Sequence, residues 1–283
     1  SVASRGLGDV YKRQVIAYGG EEGNPPQYGK VFVSVDLKDI DGLPKFKEDE
    51  YKRFLRSRSS VSLDPVFISP DYTYMYVKSL IKYNINLTGR NPEDIRTLCT
   101  QAILNYSQTN LNKFGKTLRY SRLVNTIDQA ESSIVSNETS VELIKYINPV
   151  LDTPQNITID FKTPLAIDVP LLGEEHPIED VHAIFSTQFT YNNQYGCLLE
   201  DNGDGIVRIV FPTGTNHRTI VNVGTVDYDL GIVRINNFNI NRYDGNQLKI
   251  YARARNKDIE SQQNVILNIL DTDIDIQIEQ IRE

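Results

Sequence analysis

Tryptophan is absent from this sequence, methionine occurs once, at Met75, and there are two cysteines, Cys99 and Cys197. Two cysteines so far apart make neither a disulfide framework nor the paired spacing of a structural zinc site, and they fit a reducing compartment. Long apolar runs are lacking too. None approaches the ~18–20 residues that a membrane-spanning helix needs, and no signal peptide opens the chain. Glycine-rich phosphate loops are absent. Positive charge is the minority, with 30 Lys and Arg against 37 Asp and Glu and a formal net charge of −7. An acidic surface repels phosphate backbones, so nucleic acid is not an expected partner. The first residue is Ser1 rather than methionine, and the chain is expected to be a fragment or a processed product.

What is present suits a globular protein. The chain has 283 residues, 40% of them apolar and 24% charged, enough for about two domains of roughly 100–200 residues each. The opening SVASRGLGDVYKRQ lacks periodicity, and residues 1–14 are expected to be a linker or a non-native adaptor. Residues 15–150 then alternate strand and helix patterns. KVFVSVDL (Lys30–Leu37) puts Val31, Val33 and Val35 on one face of a strand. A helix is expected at about Glu48–Ser59, where Tyr51, Phe54 and Leu55 share a face. Val66–Ile68 and Thr73–Ile85 read as extended. Asn91-Pro92-Glu93-Asp94 is a strong helix start: a good N-cap, a proline tolerated at the first turn, and two acids on the positive end of the helix dipole. The stripe Ile95, Leu98, Cys99, Ala102 and Tyr106 follows, which makes Cys99 a core residue. A further helix covers about Leu118–Ala130, and Val141–Ile147 reads as a closing strand. Two strand–helix–strand passes predict a ferredoxin-like split βαβ layer.

From Asn148-Pro149 onward helical periodicity stops. Short strands separated by Gly, Asn, Asp and Pro predict an antiparallel β domain over 151–283, giving an α+β protein overall. These strands are Asn156–Phe161, Ala183–Tyr191, Gly205–Phe211, Thr219–Val223, Ile232–Ile235, Leu248–Ala254, Val265–Leu270 and Ile274–Ile278. Val226–Tyr228 and Ile232–Ile235 form a hairpin whose turn, Asp229-Leu230-Gly231, offers a glycine for positive φ.

Candidate catalytic and metal sites reduce to simpler readings. EDNGDG (Glu200–Gly205) resembles half a calcium loop, but the twelfth position is Phe211, so a hairpin turn is expected. GEEHPIEDVH (Gly173–His182) carries two histidines and four carboxylates. Pro177 interrupts any helix that would align His176 with His182, so this is a solvated loop, and His217 lies in a turn. No catalytic residue, cofactor or metal ligand is assigned.

Surface candidates remain. Arg53 and Arg56 belong to a basic cluster, also containing Lys45, Lys47, Lys52 and Arg58, that is diluted by Glu48, Asp49 and Glu50. Lys249, Tyr251, Arg253 and Arg255 share one face of a strand, and Asp273, Asp275, Gln277 and Glu279 form a complementary face on the terminal strand. The two strands either pair with each other or meet a partner. Tyr74 and Tyr76 alternate with Met75 and Val77, which turns the tyrosines away from the core helices, either into an interface or beneath the second domain. Arg and Tyr are enriched at protein interfaces, so all eight are interface candidates.

Three segments in order carry a resemblance: GGEEGNPPQYGKVFVSVD (Gly19–Asp36), PVFISPDYTYMYVKSLIKYNI (Pro65–Ile85) before a capped helix, and VGTVDYDLGIVRINNFNI (Val223–Ile240) in a β-rich region. This order resembles the baseplate-J-like wedge proteins of contractile-tailed phages, most closely those of the T-even type. The resemblance implies the C-terminal part of a longer, non-enzymatic virion subunit of the tail baseplate. It implies two copies per wedge, contact with the large wedge subunit, and linkage of wedges into a ring that rearranges when the sheath contracts. It transfers no catalytic residue and no small-molecule substrate. Two rivals are a receptor- or glycan-binding β module using Tyr191 and the Asn192–Tyr195 loop, and a hydrolase using Asp201 or Asp204.

Overall fold

The computed structural model of the chain describes residues 12–23, 25–37, 43–58, 64–167, 182–214 and 216–282. The expectations for residues 1–11 and for the acidic loop up to 181, including His176, lie outside the described residues. In chain order the elements are β1 (Lys12–Gly19), β2 (Lys30–Leu37), α1 (Lys45–Arg56), β3 (Asp64–Ile68), β4 (Asp71–Asn84), α2 (Pro92–Asn110), β5 (Thr117–Leu118), α3 (Tyr120–Asp128) and β6 (Ile134–Ile147). There follow β7 (Gln155–Asp160), β8 (Ile184–Ser186), β9 (Phe189–Tyr191), β10 (Gln194–Asp201), β11 (Ile206–Thr213), β12 (Asn216–Asp227), β13 (Ile232–Phe238), β14 (Arg242–Tyr243), β15 (Leu248–Ala252), β16 (Ile259–Glu260), β17 (Val265–Asn268) and β18 (Ile274–Ile281). The protein is α+β. It forms two compact units, one of Ser1–Tyr72, Asn110–Thr117 and Glu260–Leu267, the other of Thr73–Thr109, Leu118–Ile259 and Asn268–Glu283.

In the first unit β1, β2 and β3 form a sheet in that order, β1 antiparallel and β3 parallel to β2. The alternation of Val33 and Val35 does bury one face, at 8% and 2% exposure. β1 begins inside the segment expected to be an adaptor. Gln14 shows why: its Nε2 donates to the Asp36 carboxylate at 2.9 Å, and its Oε1 accepts from the Phe114 backbone N–H at 2.7 Å. Asp36, only 1% exposed, also accepts from the Tyr72 hydroxyl at 2.9 Å. Four stretches distant in sequence, around Gln14, Asp36, Tyr72 and Phe114, are thereby tied together.

In the second unit one sheet runs β18–β4–β6–β15–β8–β10–β11–β12–β13–β7. All of these pairs are antiparallel except β18 with β4, which is parallel from Ile274↔Val77 to Ile281↔Asn84. The terminal strand therefore belongs to the helix-bearing end. The sheet also crosses residue 150, since Ile144 pairs with Tyr251 and Lys145 with Ile250. Neither strand–helix–strand pass makes a split βαβ. β2 lies directly beside β3, and β4 directly beside β6, with no strand between them.

The helices start and stop where local chemistry directs. Asn91 Oδ1 accepts from the Asp94 N–H at 2.9 Å, and Asp94 Oδ2 accepts from the Asn91 N–H at 3.3 Å, a reciprocal box that satisfies two otherwise orphan donors. The buried stripe of α2 is Ile95, Cys99, Ile103 and Tyr106, so the expected stripe is rotated, with Leu98 and Ala102 at its edge. Cys99 is a core residue, and desolvation pushes its thiol up to about 12. Arg96 Nε donates to the Ile276 carbonyl at 3.0 Å, and Asn137 Nδ2 donates to the Val124 carbonyl at 3.2 Å. These bonds set α2 beside β18 and α3 beside β6.

The two hairpins read from turn chemistry are formed. Asp227 pairs with Ile232 across the tip of β12–β13, and Gly231 has φ +71°. A Cβ at Gly231 would lie 2.1 Å from the Thr163 carbonyl oxygen. Gly231→Ala is therefore expected to lose at least about 1–2 kcal/mol from left-handed backbone strain alone, before that clash is relieved. Chemical denaturation of the two proteins measures it, and equal midpoints would refute it. The EDNGDG turn joins β10 to β11, with Gly203 and Gly205 at φ +80° and +88°.

Candidate functional site

The candidate residues of the second unit gather on one face of the β4–β6–β15–β8 strip. Cross-strand register places Tyr74 opposite Ile144, Tyr76 opposite Glu142, Lys249 opposite Tyr146, and Tyr251 between Ile144 and Phe185. Directly opposed residues share a face, so these side chains form one layer. The rings meet: Tyr74 with Tyr146 edge-on at 4.9 Å, Tyr76 with Tyr251 edge-on at 5.7 Å, and Phe185 stacked on Tyr251 at 4.8 Å. Ile144 beneath them is fully buried. The opposite face, with Met75 and Val77 at 0% exposure, belongs to the core, as the alternation predicts.

The face is half-buried by the chain itself. Asp273, itself fully buried, accepts from the Tyr146 hydroxyl at 2.5 Å and from Lys249 Nζ at 2.7 Å. Lys249 Nζ also lies 5.5 Å from the centre of the Tyr146 ring. The Tyr76 hydroxyl donates to Asp275 at 3.3 Å. Strands β15 and β18 thus do not pair with each other: β15 lies between β6 and β8, and β18 pairs with β4. Across the layer Lys249 meets Asp273, just before β18, while Asp275 is taken by Tyr76 and Glu279 by Lys82, both on β4. β15 stops at Ala252, which splits the expected four-residue face. Arg253 lies 4.0 Å from Glu142, whereas Arg255 turns to Asp229 at 2.7 Å and to the Leu165 carbonyl at 3.2 Å.

Arg53 and Arg56 lie on α1 in the first unit. Arg53 Nε donates to the Asp49 carbonyl at 3.3 Å, and Arg56 pairs with Asp64 at 2.6 Å. Phe46 and Phe54 on the same helix are 70% and 39% exposed.

Burial raises the phenol pKa of Tyr76, Tyr146 and Tyr228 well above the ordinary value, reinforced by carboxylates at Asp275, Asp273 and Asp201 respectively. Burial also pushes Tyr251 up to about 12, with Asp273 adding to it. A folded pKa above the unfolded value of ~10 means that the folded state holds these protons longer. Their contribution to stability is complete below pH ~10 and is lost as pH rises through 12. An alkaline titration that follows tyrosinate absorbance and circular dichroism together should show late-titrating tyrosines that ionise as the fold is lost. Ionisation of all the tyrosines in the ordinary range with the fold intact would contradict this.

A second constellation was missed from sequence. His182, Glu200 and His217 come from a loop end, β10 and β12, and their ligand atoms all lie within 4.8 Å of one another. Glu200 Oε2 is 2.5 Å from His217 Nδ1 and 3.4 Å from His182 Nε2, and Oε1 is 2.8 Å from Arg208 Nη2. The three side chains are 2–15% exposed. Next to it, Asp201 is consumed structurally: it accepts from the Ile184 and Gly203 N–H groups and from the Tyr228 hydroxyl. The sequence reading set His182 against His176 in a solvated loop and put His217 in a turn; the structure instead buries most of the His182 side chain and sets His217 within β12, beside Glu200.

The loop raised as a binding candidate is a tight turn, with Asn192 and Asn193 at φ +48° and +62° and the Tyr195 hydroxyl on Asp244 at 2.8 Å.

The family described as baseplate structural protein gp6, C-terminal domain I, matches residues 7–68, and gp6 C-terminal domain III matches residues 71–146. A relative, the baseplate wedge protein gp6 of Enterobacteria phage T4, is 17% identical over 127 residues. That match covers 45% of this chain and 19% of the relative, so the chain spans about a fifth of that protein's length. Taken together, two consecutive gp6 domain matches and this relative support a structural wedge subunit, similar to the C-terminal portion of gp6, in the tail baseplate of a phage virion.

Proposed function

We propose that this chain is a non-enzymatic baseplate wedge subunit, of the baseplate-J-like kind, that associates with a second copy of itself and with other wedge subunits. The observation that carries the reading is the order of the matches: gp6 domain I over 7–68, followed directly by gp6 domain III over 71–146. Its work is mechanical. Specific stable interfaces bury ~1,200–2,000 Å² or more, and such areas are built around aromatic and arginine anchors.

We place the contact surfaces on α1, through Arg53, Arg56 and the exposed Phe46 and Phe54, and on the rim of the aromatic layer, through Tyr74, Tyr76, Lys249, Tyr251, Arg253 and Arg255. The α1 surface is the stronger candidate. The helix buries none of its residues, while the layer residues already spend much of their bonding capacity within the chain.

Light scattering of the chain over a concentration series tests self-association. The expected result is a mass that rises to a dimer or larger species and falls back in Phe46→Ala/Arg53→Ala. A constant monomer mass at the highest concentration overturns the self-association, and the wedge reading then rests on binding to other subunits.

A further inference from the structure

The His182, Glu200 and His217 cluster is not explained by a wedge subunit's mechanical role. From its geometry we infer that it is a divalent transition-metal site, of the kind that takes zinc, formed by His182 Nε2, His217 Nδ1 and Glu200 Oε2. Two imidazole nitrogens and one carboxylate oxygen are a borderline-soft donor set that suits zinc.

The orientation of each ligand favours the metal. His182 Nδ1 lies 2.7 Å from the Asp201 carbonyl oxygen. A carbonyl only accepts, so Nδ1 carries a proton and Nε2 is the ring nitrogen directed at Glu200, the one that would ligate. Ligating histidines are commonly held by such a bond on the other ring nitrogen. Arg208 occupies Oε1 of Glu200 through Nε at 3.0 Å and Nη2 at 2.8 Å, which fixes the carboxylate and leaves Oε2 toward the histidines. The two imidazoles are nearly parallel, 10° between planes with centres 6.2 Å apart, and flank that oxygen.

Tetrahedral bonds of ~2.0–2.1 Å set ligand atoms about 3.3 Å apart. The 3.4 Å separation of His182 Nε2 from Oε2 already matches, and the 2.5 Å separation at His217 opens by under ~1 Å on binding. His217 Nδ1 donates its ring proton to Glu200 Oε2 in this structure, so ligation requires that proton to pass to Nε2 of the same ring or to solvent. Three protein ligands leave the fourth position for water or for a group from another chain. The positive charge of Arg208 beside a dication is offset by Glu200 and by buried Asp201, which is 1% exposed. The metal would clasp the segment entering β8 to β10 and β12.

Isothermal titration of the untagged 283-residue chain with zinc, after chelator treatment, tests this, with cobalt(II) visible spectra reporting coordination. One zinc per chain is expected, together with the intense bands of a four-coordinate cobalt site and a zinc-dependent rise in Tm. His182→Ala and His217→Ala should each abolish the stoichiometric binding while circular dichroism is unchanged. His217→Gln, which keeps a neutral polar group beside Glu200, decides the matter if the alanine variants fail to fold. No stoichiometric zinc on the folded wild-type chain overturns the site. So does undiminished binding in a folded His182→Ala/His217→Ala or His217→Gln protein.

Discussion

Replacing Phe238 by alanine is expected to cost about 3–5 kcal/mol of folding stability, the largest loss from any single truncation considered for this chain. Phe238 ends β13 and is fully buried. Its ring meets Phe189, also fully buried, edge-on with centres 5.7 Å apart and planes at 77°. Phe189 is held by β10 through Cys197 and by β14 through Tyr243. The pair therefore joins the β9–β10–β14 corner to the β13–β7 edge. Alanine removes a full ring and leaves a cavity that the surrounding strands cannot close, because their hydrogen-bonded ladders fix their spacing. Urea denaturation measures the loss. Phe238→Leu, which keeps most of the volume, should cost clearly less. A loss under about 1 kcal/mol for the alanine variant would mean that the corner repacks, contrary to expectation.

Asp273→Ala is expected to cost about 3 kcal/mol. Asp273 is wholly buried and serves the Tyr146 hydroxyl and the Lys249 ammonium at once. Breaking a buried pair by removing one partner strands the other charge, which is costlier than the pair was favourable. The Lys249 side chain is 23% exposed, so water recovers part of its hydration, and the estimate sits at the lower end of the 3–5 kcal/mol range for fully buried pairs. The double variant Asp273→Ala/Lys249→Met should regain much of the loss, since no charge is then stranded. Urea denaturation of the four proteins gives the coupling energy. An additive cycle would show that the two side chains do not act together.

These two sites differ in how far the sequence exposed them. Lys249, Tyr251 and the acids of the last strand stood out as complementary alternating faces, and of these Lys249 and Asp273 do meet. Their strands do not pair, however: Asp273 lies in the 3-10 turn just before β18 and reaches Lys249 across the layer. Phe238 and Phe189 gave no signal beyond being apolar. β10, which holds Phe189 in place, was legible only at its end, where the EDNGDG turn implies a flanking strand, because Gly196 and the Asn residues before it resemble loop chemistry. β1 was hidden for a similar reason: Gln14 is polar, and its role depends on Asp36 and Phe114 far along the chain.

The sequence by itself determined the local elements whose causes lie within a few residues. The Asn91 box starts α2, the 3.6-residue spacing of apolar side chains buries one side of α2 and α3, and Gly231 and the EDNGDG turn close their hairpins. Only the tertiary structure decided which strands are neighbours. It laid β18 parallel to β4, joined β6 to β15 across residue 150, and brought the ligand atoms of His182, Glu200 and His217 within 4.8 Å of one another. The physical reason is that ladder hydrogen bonds are made by backbone groups that are the same at every residue. Local sequence sets which face of a strand is apolar, but the choice of partner strand comes from burying all those faces at once.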